Sequence, residues 1–225
     1  MNITALVVAK APVPGLAKTR LAATLGDDAA ADIAAAALLD TLDAVAAADF
    51  STRIVALTGD LAEAARRDEL AAALASYTVV GQRGDGFAER LVHAHEDAAG
   101  QPVFQIGMDT PQLTPELLTA SATALADSSG GSVLGMAEDG GWWGLGIGDP
   151  ALARGLLDVP MSTPDTGAKT MAALERLGAR IHLLPVLRDV DHASDLHPVA
   201  DACASGSRFR AAVMRHAPDQ DHETR

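Results

Sequence analysis

The sequence predicts an α/β fold built on a mostly parallel sheet with helices on both faces. Three observations carry that expectation. Short apolar runs alternate with helical patterns, the runs are continuously apolar instead of alternating, and charged clusters fall where several of the runs end. Strands buried on both faces read as near-continuous hydrophobic stretches, and crossover helices are what bury them.

Residues 3–9 form the first run, too short and uninterrupted for an amphipathic helix. A loop carrying Lys10, Lys18 and Arg20 follows it. Runs at 53–58, 77–80 and 103–107 are the next strands. Between them, 27–48, 60–75 and 86–99 read as helices. Another follows at 114–126, where Thr114 is the cap and Pro115 takes the first helical position. Residues 132–137 and 142–147 are strands on either side of Gly140-Gly141. A helix at 166–177 and a last strand at 180–187 lead to Asp189-Val190-Asp191. Glycines crowd the stretch from Gly130 to Gly148, as where a ligand or another backbone approaches closely. Residues 1–215 are expected to form a single domain and 216–225 a flexible tail.

Composition narrows the class. A chain of 225 residues that is 48% hydrophobic can bury a core and is not disordered. One cysteine, Cys203, excludes a disulfide framework, so a cytoplasmic location is expected. No stretch stays apolar for the roughly 20 residues that a membrane span needs, and Asp32, Asp40 and Asp43 break the alanine-rich segment 29–48. The first nine residues lack the basic start of a secretory signal. A formal net charge of −13 argues against nucleic acid or anionic lipid as a partner. A small-molecule ligand is the remaining expectation.

The first 26 residues carry Lys10, Lys18 and Arg20 and no Asp or Glu. In so acidic a chain, a proline-pinned cationic loop at a strand end predicts an anion pocket, phosphate being the usual occupant. The competing reading is an ordinary solvated loop. It is not a P-loop, because Pro12 and Ala17 stand where that motif needs glycine. Pro12 and Pro14 remove two amide donors, which leaves Lys18 and Arg20 to supply cationic contact. Asp109, in Gly107-Met108-Asp109-Thr110-Pro111, ends a buried strand and needs a partner. With Asp191 it would suit a magnesium ion clamping a diphosphate; alternatively it caps the turn before Thr114. Asp189 competes with Asp191 for the metal. Gly84 and Gly86 open the helix carrying Arg90, either bringing amides to an anion or ribose or forming a flexible turn. Trp142 and Trp143 point to opposite faces of a strand, so one could stack a ligand while the other fills the core; both could equally be packing residues. His93 and His95 diverge on a helix, Ser205-Gly206-Ser207 lacks the setting of a nucleophile elbow, and Gly144, Gly146 and Gly148 lie inside a strand. None of these is taken as a site.

In open α/β sheets ligands bind beyond the carboxyl ends of strands, and four clusters fall there. They are Ala9-Lys10-Ala11-Pro12-Val13-Pro14-Gly15 with Lys18-Thr19-Arg20-Leu21, Gly107 to Pro111 with Leu113-Thr114, Glu138-Asp139-Gly140-Gly141-Trp142-Trp143, and Asp189-Val190-Asp191 with Asp195-Leu196. In this order they resemble the glycosyltransferase-A-like superfamily of nucleotide-diphospho-sugar transferases, in particular the bacterial branch akin to phospholactate guanylyltransferases. The resemblance spans about residues 3–196. It implies a three-layer α/β/α sandwich with a Rossmann-like central sheet and a Mg2+ or Mn2+ ion on Asp109 and Asp191. It further implies nucleotide over Ala9, Lys10, Lys18, Arg20, Gly84, Gly86 and Arg90, with a small-molecule acceptor against Gly140, Gly141 and Trp142. Two departures stand out: Thr110-Pro111 reduce the usual Asp-x-Asp to one carboxylate, and prolines replace the glycine-rich first loop of sugar nucleotidyltransferases. The expected activity is metal-dependent glycosyl transfer from a nucleotide-sugar, with Asp139 positioning or deprotonating the acceptor. The alternative is nucleotidyl transfer from a triphosphate to a phosphorylated acceptor, with Lys18 and Arg20 stabilising the departing pyrophosphate. A catalytically idle nucleotide-binding protein is the third.

Overall fold

The computed structural model of the chain describes residues 1–128 and 130–217. Seven strands form one sheet: β1 (Thr4–Lys10), β2 (Thr52–Thr58), β3 (Thr78–Gly81), β4 (Val103–Ile106), β5 (Ser132–Ala137), β6 (Trp142–Ile147) and β7 (Ile181–Leu187). Their order is β3-β2-β1-β4-β6-β5-β7. β6 pairs antiparallel with β4 and β5, and every other pairing is parallel. Six strands therefore run one way and β6 alone runs against them. The chain reverses direction across the sheet between β1 and β4, a topological switch point.

The helices among the described residues are α1 (Thr19–Leu25), α2 (Asp27–Ala47), α3 (Arg67–Leu74), α4 (Phe87–Asp97), α5 (Pro115–Asp127), α6 (Thr166–Arg176), α7 (Ala193–Ala202) and α8 (Arg208–His216), with a 3-10 segment at Pro150–Asp158. On one face of the sheet, Val7, Val55 and Phe104 pack with Leu38 and Leu39 of α2, Leu70 of α3 and Leu118 of α5. On the other, Leu6, Ile54 and Leu134 meet Leu91 of α4, Leu156 of the 3-10 segment and Leu174 of α6. This is the expected three-layer arrangement. A third cluster lies outside α2, where Leu21, Ile33, Val190, Leu196 and Phe209 pack together. Helix α2 thus contributes to two apolar clusters, one against the sheet and one outside it, which explains its alanines: small side chains let two layers approach it.

One element departs from expectation. The helix read at 60–75 is divided into a 3-10 turn, Leu61–Glu63, and α3. Arg66 between them is left-handed, at φ 52, a bend local periodicity does not signal. The glycines of the 130–148 stretch, expected where a ligand or another backbone approaches closely, make room mainly for protein atoms: a Cβ at Gly135 would lie 2.3 Å from the Trp143 ring, and one at Gly140 1.7 Å from the Pro164 carbonyl. Helix α8 ends at His216, the first residue of the stretch expected as a tail; 218–225 lie outside the described residues.

Two aspartates of α2 hold α8 in place. Asp40 accepts from Ser207 Oγ at 2.8 Å and from the Phe209 amide at 2.9 Å, capping the helix. Asp32 takes the forked guanidinium of Arg66 at 2.7 and 3.1 Å and His216 Nε2 at 2.8 Å. The Arg66 hydrogen bonds outweigh burial and hold the Asp32 carboxyl below the usual aspartate range. A depressed folded-state pKa contributes stability above the unfolded value of about 3.9, lost as pH falls through the folded value. Asp32→Asn should therefore cost roughly 2 kcal/mol at neutral pH. In urea titrations from pH 7 to 3, the gap to the wild-type protein should narrow below about pH 4.

Candidate functional site

The carboxyl ends of β1, β4, β5 and β7 and the amino end of β6 share one edge of the sheet. A cleft of about 1280 Å³ opens there. Backbone clamps close its floor. The Val190 amide donates to the Asp109 carbonyl at 3.0 Å, and the Glu138 amide to the Leu187 carbonyl at 3.0 Å. Gln112 Nε2 donates to the Arg188 carbonyl at 2.6 Å. Asp195, three residues into the turn that starts α7, accepts the amides of His192 at 2.7 Å and Asp191 at 3.1 Å, fixing the backbone that presents Asp191.

Lys18 stands at the centre. It precedes α1 in a left-handed conformation, φ 47 and ψ 49. Its Nζ lies 2.8 Å from Asp109 Oδ2 and 2.8 Å from Asp191 Oδ1, and it also donates to the Val190 carbonyl. Burial alone would push the ammonium down, but Asp109 and Asp191 outweigh it and raise its pKa above the ordinary lysine value. Burial likewise opposes the charge on Asp191, and Lys18 with Arg20 overcomes it, holding that carboxyl low. Arg20 lies 3.3 Å from Asp191 Oδ2 and is largely exposed. Asp109 Oδ1 is buried with no hydrogen-bond partner among the described residues.

A second acidic group adjoins the first. One carboxylate oxygen each from Asp139, Asp189 and Asp191 lies within 4.8 Å of the others. Burial, then the nearby Asp139 and Asp191, push Asp189 up to about 6. Asp139 is exposed and accepts the Gly141 amide through Oδ1 at 2.7 Å, which leaves Oδ2 free of that turn.

Of the residues singled out by sequence, Ala9, Lys10, Lys18, Arg20, Arg90, Asp109, Asp139, Gly141, Trp142 and Asp191 line this cleft. Lys10 Nζ donates to the Leu16 carbonyl at 2.6 Å and so closes the proline loop on itself. Gly84 and Gly86 do not line it. They form the entry turn of α4, where Gly84 sits at φ 121 against Glu89 and the Glu89 carboxylate accepts the Asp85 amide at 2.8 Å. Their helix instead delivers Phe87 and Arg90, the guanidinium 5.8 Å from the ring centroid. Gly140 is also off the cleft wall, pressed against Pro164. The tryptophans do face opposite ways. Both border the cleft, but Trp142 packs on the side of Leu134 and donates to Thr170 Oγ1 at 3.2 Å, whereas Trp143 is buried on the side of Phe104 and donates to the Pro185 carbonyl at 2.9 Å.

Sequence reasoning passed over Gln82 and Gln105. Gln82 Nε2 donates to the carbonyls of Ala9 and Ala56 at 2.8 and 2.9 Å, satisfying the sheet edge under the cleft. Gln105 Oε1 lies 2.9 Å from Nε2 of His95, a histidine whose pKa burial lowers to about 4. A lone glutamine in the apolar run Val103-Phe104-Gln105-Ile106 was the available signal.

A folded-state pKa near 6 makes ionised Asp189 a cost. Stability present below the unfolded pKa of about 3.9 is lost as pH rises through 6. In metal-free buffer, Asp189→Asn should raise stability above pH 6 by roughly 1–2 kcal/mol, allowing for solvent screening, and change little below about pH 4. Melting curves at pH 4 and 7.5 check both limbs.

The chain is similar to several solved structures. A candidate nucleotide-diphospho-sugar transferase from Desulfovibrio desulfuricans G20 superposes with a TM-score of 0.80 at 23% identity, covering 96% of this chain and 95% of the other. A CMP:2-keto-3-deoxy-manno-octonic acid synthetase complexed with CTP gives a TM-score of 0.58 at 12% identity, covering 88% and 97%. A manganese complex of Rv0371c from Mycobacterium tuberculosis H37Rv gives 0.54 at 20% identity, covering 88% and 98%. At these identities the likeness is one of fold, and the fold is that of the glycosyltransferase-A-like proteins. No protein of curated function matches the sequence. Residues 41–163, more than half of the chain, match the family model described as "Uncharacterized protein conserved in bacteria (DUF2064)", and to that family the chain belongs.

Proposed function

We propose that the cleft is the active site of a transferase acting on a nucleotide substrate, and specifically of a metal-dependent glycosyltransferase that takes a nucleotide-diphospho-sugar as donor. One observation carries the reading: Lys18, Asp109 and Asp191, from the segments that follow β1, β4 and β7, meet through 2.8 Å contacts in a cleft of about 1280 Å³ at the carboxyl edge of the sheet. A cation donor beside paired carboxylates is the arrangement a metal-bridged diphosphate needs.

The residues present fit a divalent ion. Asp109 and Asp191 offer hard oxygen ligands, suited to Mg2+ or Mn2+. Asp109 Oδ1 is a buried acceptor that no group among the described residues satisfies, and the manganese complex of a similarly folded protein agrees with that chemistry. When bound, such an ion neutralises charge on the departing diphosphate.

Lys18 and Arg20 then hold the diphosphate oxygens, and Lys10 and the Ala9 carbonyl edge flank the nucleotide. Arg90, its Nε buried with no partner among the described residues, lines the same cleft. On the far side, Asp139 Oδ2 positions the acceptor hydroxyl and can take its proton as the anomeric carbon is attacked. Trp142 and the Gly141 backbone bound the acceptor. Gly140 and, on the donor side, Gly84 and Gly86 contribute by shaping the turns.

Nucleotidyl transfer is the second reading, favoured by the cationic first loop and by the CTP-bound synthetase of similar fold. The two readings separate in a thermal-shift panel of nucleoside triphosphates and nucleotide-sugars, each with and without Mn2+. Stabilisation of several degrees by a nucleotide-sugar only with metal is expected; preference for a triphosphate moves the assignment to nucleotidyl transfer. Asp109→Ala should abolish the metal-dependent part. Lys18→Ala should lower turnover roughly 10²–10³-fold, the loss typical of one charge-stabilising donor, with circular dichroism unchanged.

A further inference from the structure

Lys18 is already fully engaged before any ligand arrives. An ammonium has three donors, and Lys18 directs them at Asp109 Oδ2, Asp191 Oδ1 and the Val190 carbonyl. The carboxylates suited to a divalent ion are therefore the ones holding the ammonium suited to a diphosphate. Both tasks cannot be met in this geometry. An ion joining Asp109 and Asp191 would set two further positive charges against an ammonium 2.8 Å from the same oxygens, with Arg20 3.3 Å from Asp191 adding a fourth.

From this geometry we infer that the Lys18 ammonium is the resident cation of the Asp109–Asp191 pair, and that Lys18 gives up this place to a divalent ion only when a polyphosphate offers it new acceptors. The inference rests on the reading of the cleft as a nucleotide site. It adds a selection rule: the site prefers a metal–polyphosphate complex to the free metal ion. The residues are built for exchange. Lys18 is itself the left-handed residue that opens α1, and its carbonyl accepts the Ala22 amide at 2.8 Å, so its backbone stays tied to the helix while the side chain swings. Asp191 is held from behind by Asp195 through two amides, so it does not follow the ammonium out. Asp109 Oδ1, which Lys18 leaves unsatisfied, remains an oxygen for an incoming ion.

The test needs no activity and no nucleotide. Electron paramagnetic resonance of free Mn2+ measures binding of the metal alone to wild type, Lys18→Met and Arg20→Gln. Lys18→Met should bind Mn2+ about tenfold tighter or more, since a competing charge is gone. Arg20→Gln, which removes an exposed and longer contact, should change affinity less than about threefold. Pyrophosphate should tighten Mn2+ binding more in wild type than in Lys18→Met. Equal or weaker binding of Mn2+ by Lys18→Met overturns the exchange. Should that variant fail to fold, wild type decides the matter: Mn2+ alone should leave acylation of Lys18 unchanged by mass spectrometry while Mn2+ with pyrophosphate alters it several-fold, and labelling that Mn2+ alone raises, or that the pair leaves unchanged, overturns it. A thermal-shift panel in which no nucleotide binds would refute the nucleotide site, while the response of Lys18→Met to Mn2+ alone would still decide whether lysine and metal compete.

Discussion

The polarity of the sheet is the constraint from which the site follows. Six strands run one way, so their carboxyl ends lie on one edge, and the chain must leave that edge through loops that no pairing partner covers. Lys18, Asp109, Asp139 and Asp191 all sit on such exits. β6 contributes by running backwards, which brings the start of the strand, Trp142, to the same edge. Were β6 parallel, Trp142 would lie at the far side of the molecule.

Placing acids and bases on exits creates a charge problem that the protein solves locally. Asp191 stays ionised because Lys18 and Arg20 outweigh its burial, whereas Asp189, two residues earlier, faces carboxylates and is pushed up to about 6. Neighbouring aspartates with opposite shifts make a graded site, cationic toward β1 and acidic toward β5 and β7. The outer layer of α1, α7 and α8 supports that gradient mechanically. Val190, between the two aspartates, packs in the same apolar cluster as Leu21, Leu196 and Phe209, so the segment carrying both charges is anchored to the core behind α2.

Much of this was legible from local pattern. The strands at 132–137 and 142–147 begin and end where their apolar runs do, and continuous apolar runs announced a sheet covered on both faces. The absence of acids from the first 26 residues pointed to Lys18 and Arg20. Less legible were the features set by remote contacts. Arg66 breaks a helix that periodicity would continue, and its guanidinium binds Asp32, 34 residues earlier. The crowded glycines announced a close approach, by a ligand or by another backbone, because closeness can be inferred from glycine whereas the identity of what approaches cannot; at Gly135 it is the Trp143 ring and at Gly140 the Pro164 carbonyl.

Composition and spacing alone thus decided the layered α/β class, the positions of the strand ends and the residue types available there, since each depends on burial of neighbouring side chains within one run. Only the folded chain decided who meets whom. That Lys18 bonds both Asp109 and Asp191, that Gly84 and Gly86 turn away from the cleft, and that Asp189 is crowded by Asp139 all depend on strand order. Strand order comes from pairing across dozens of residues, where the free energy lies in packing between segments, which no local stretch of sequence records.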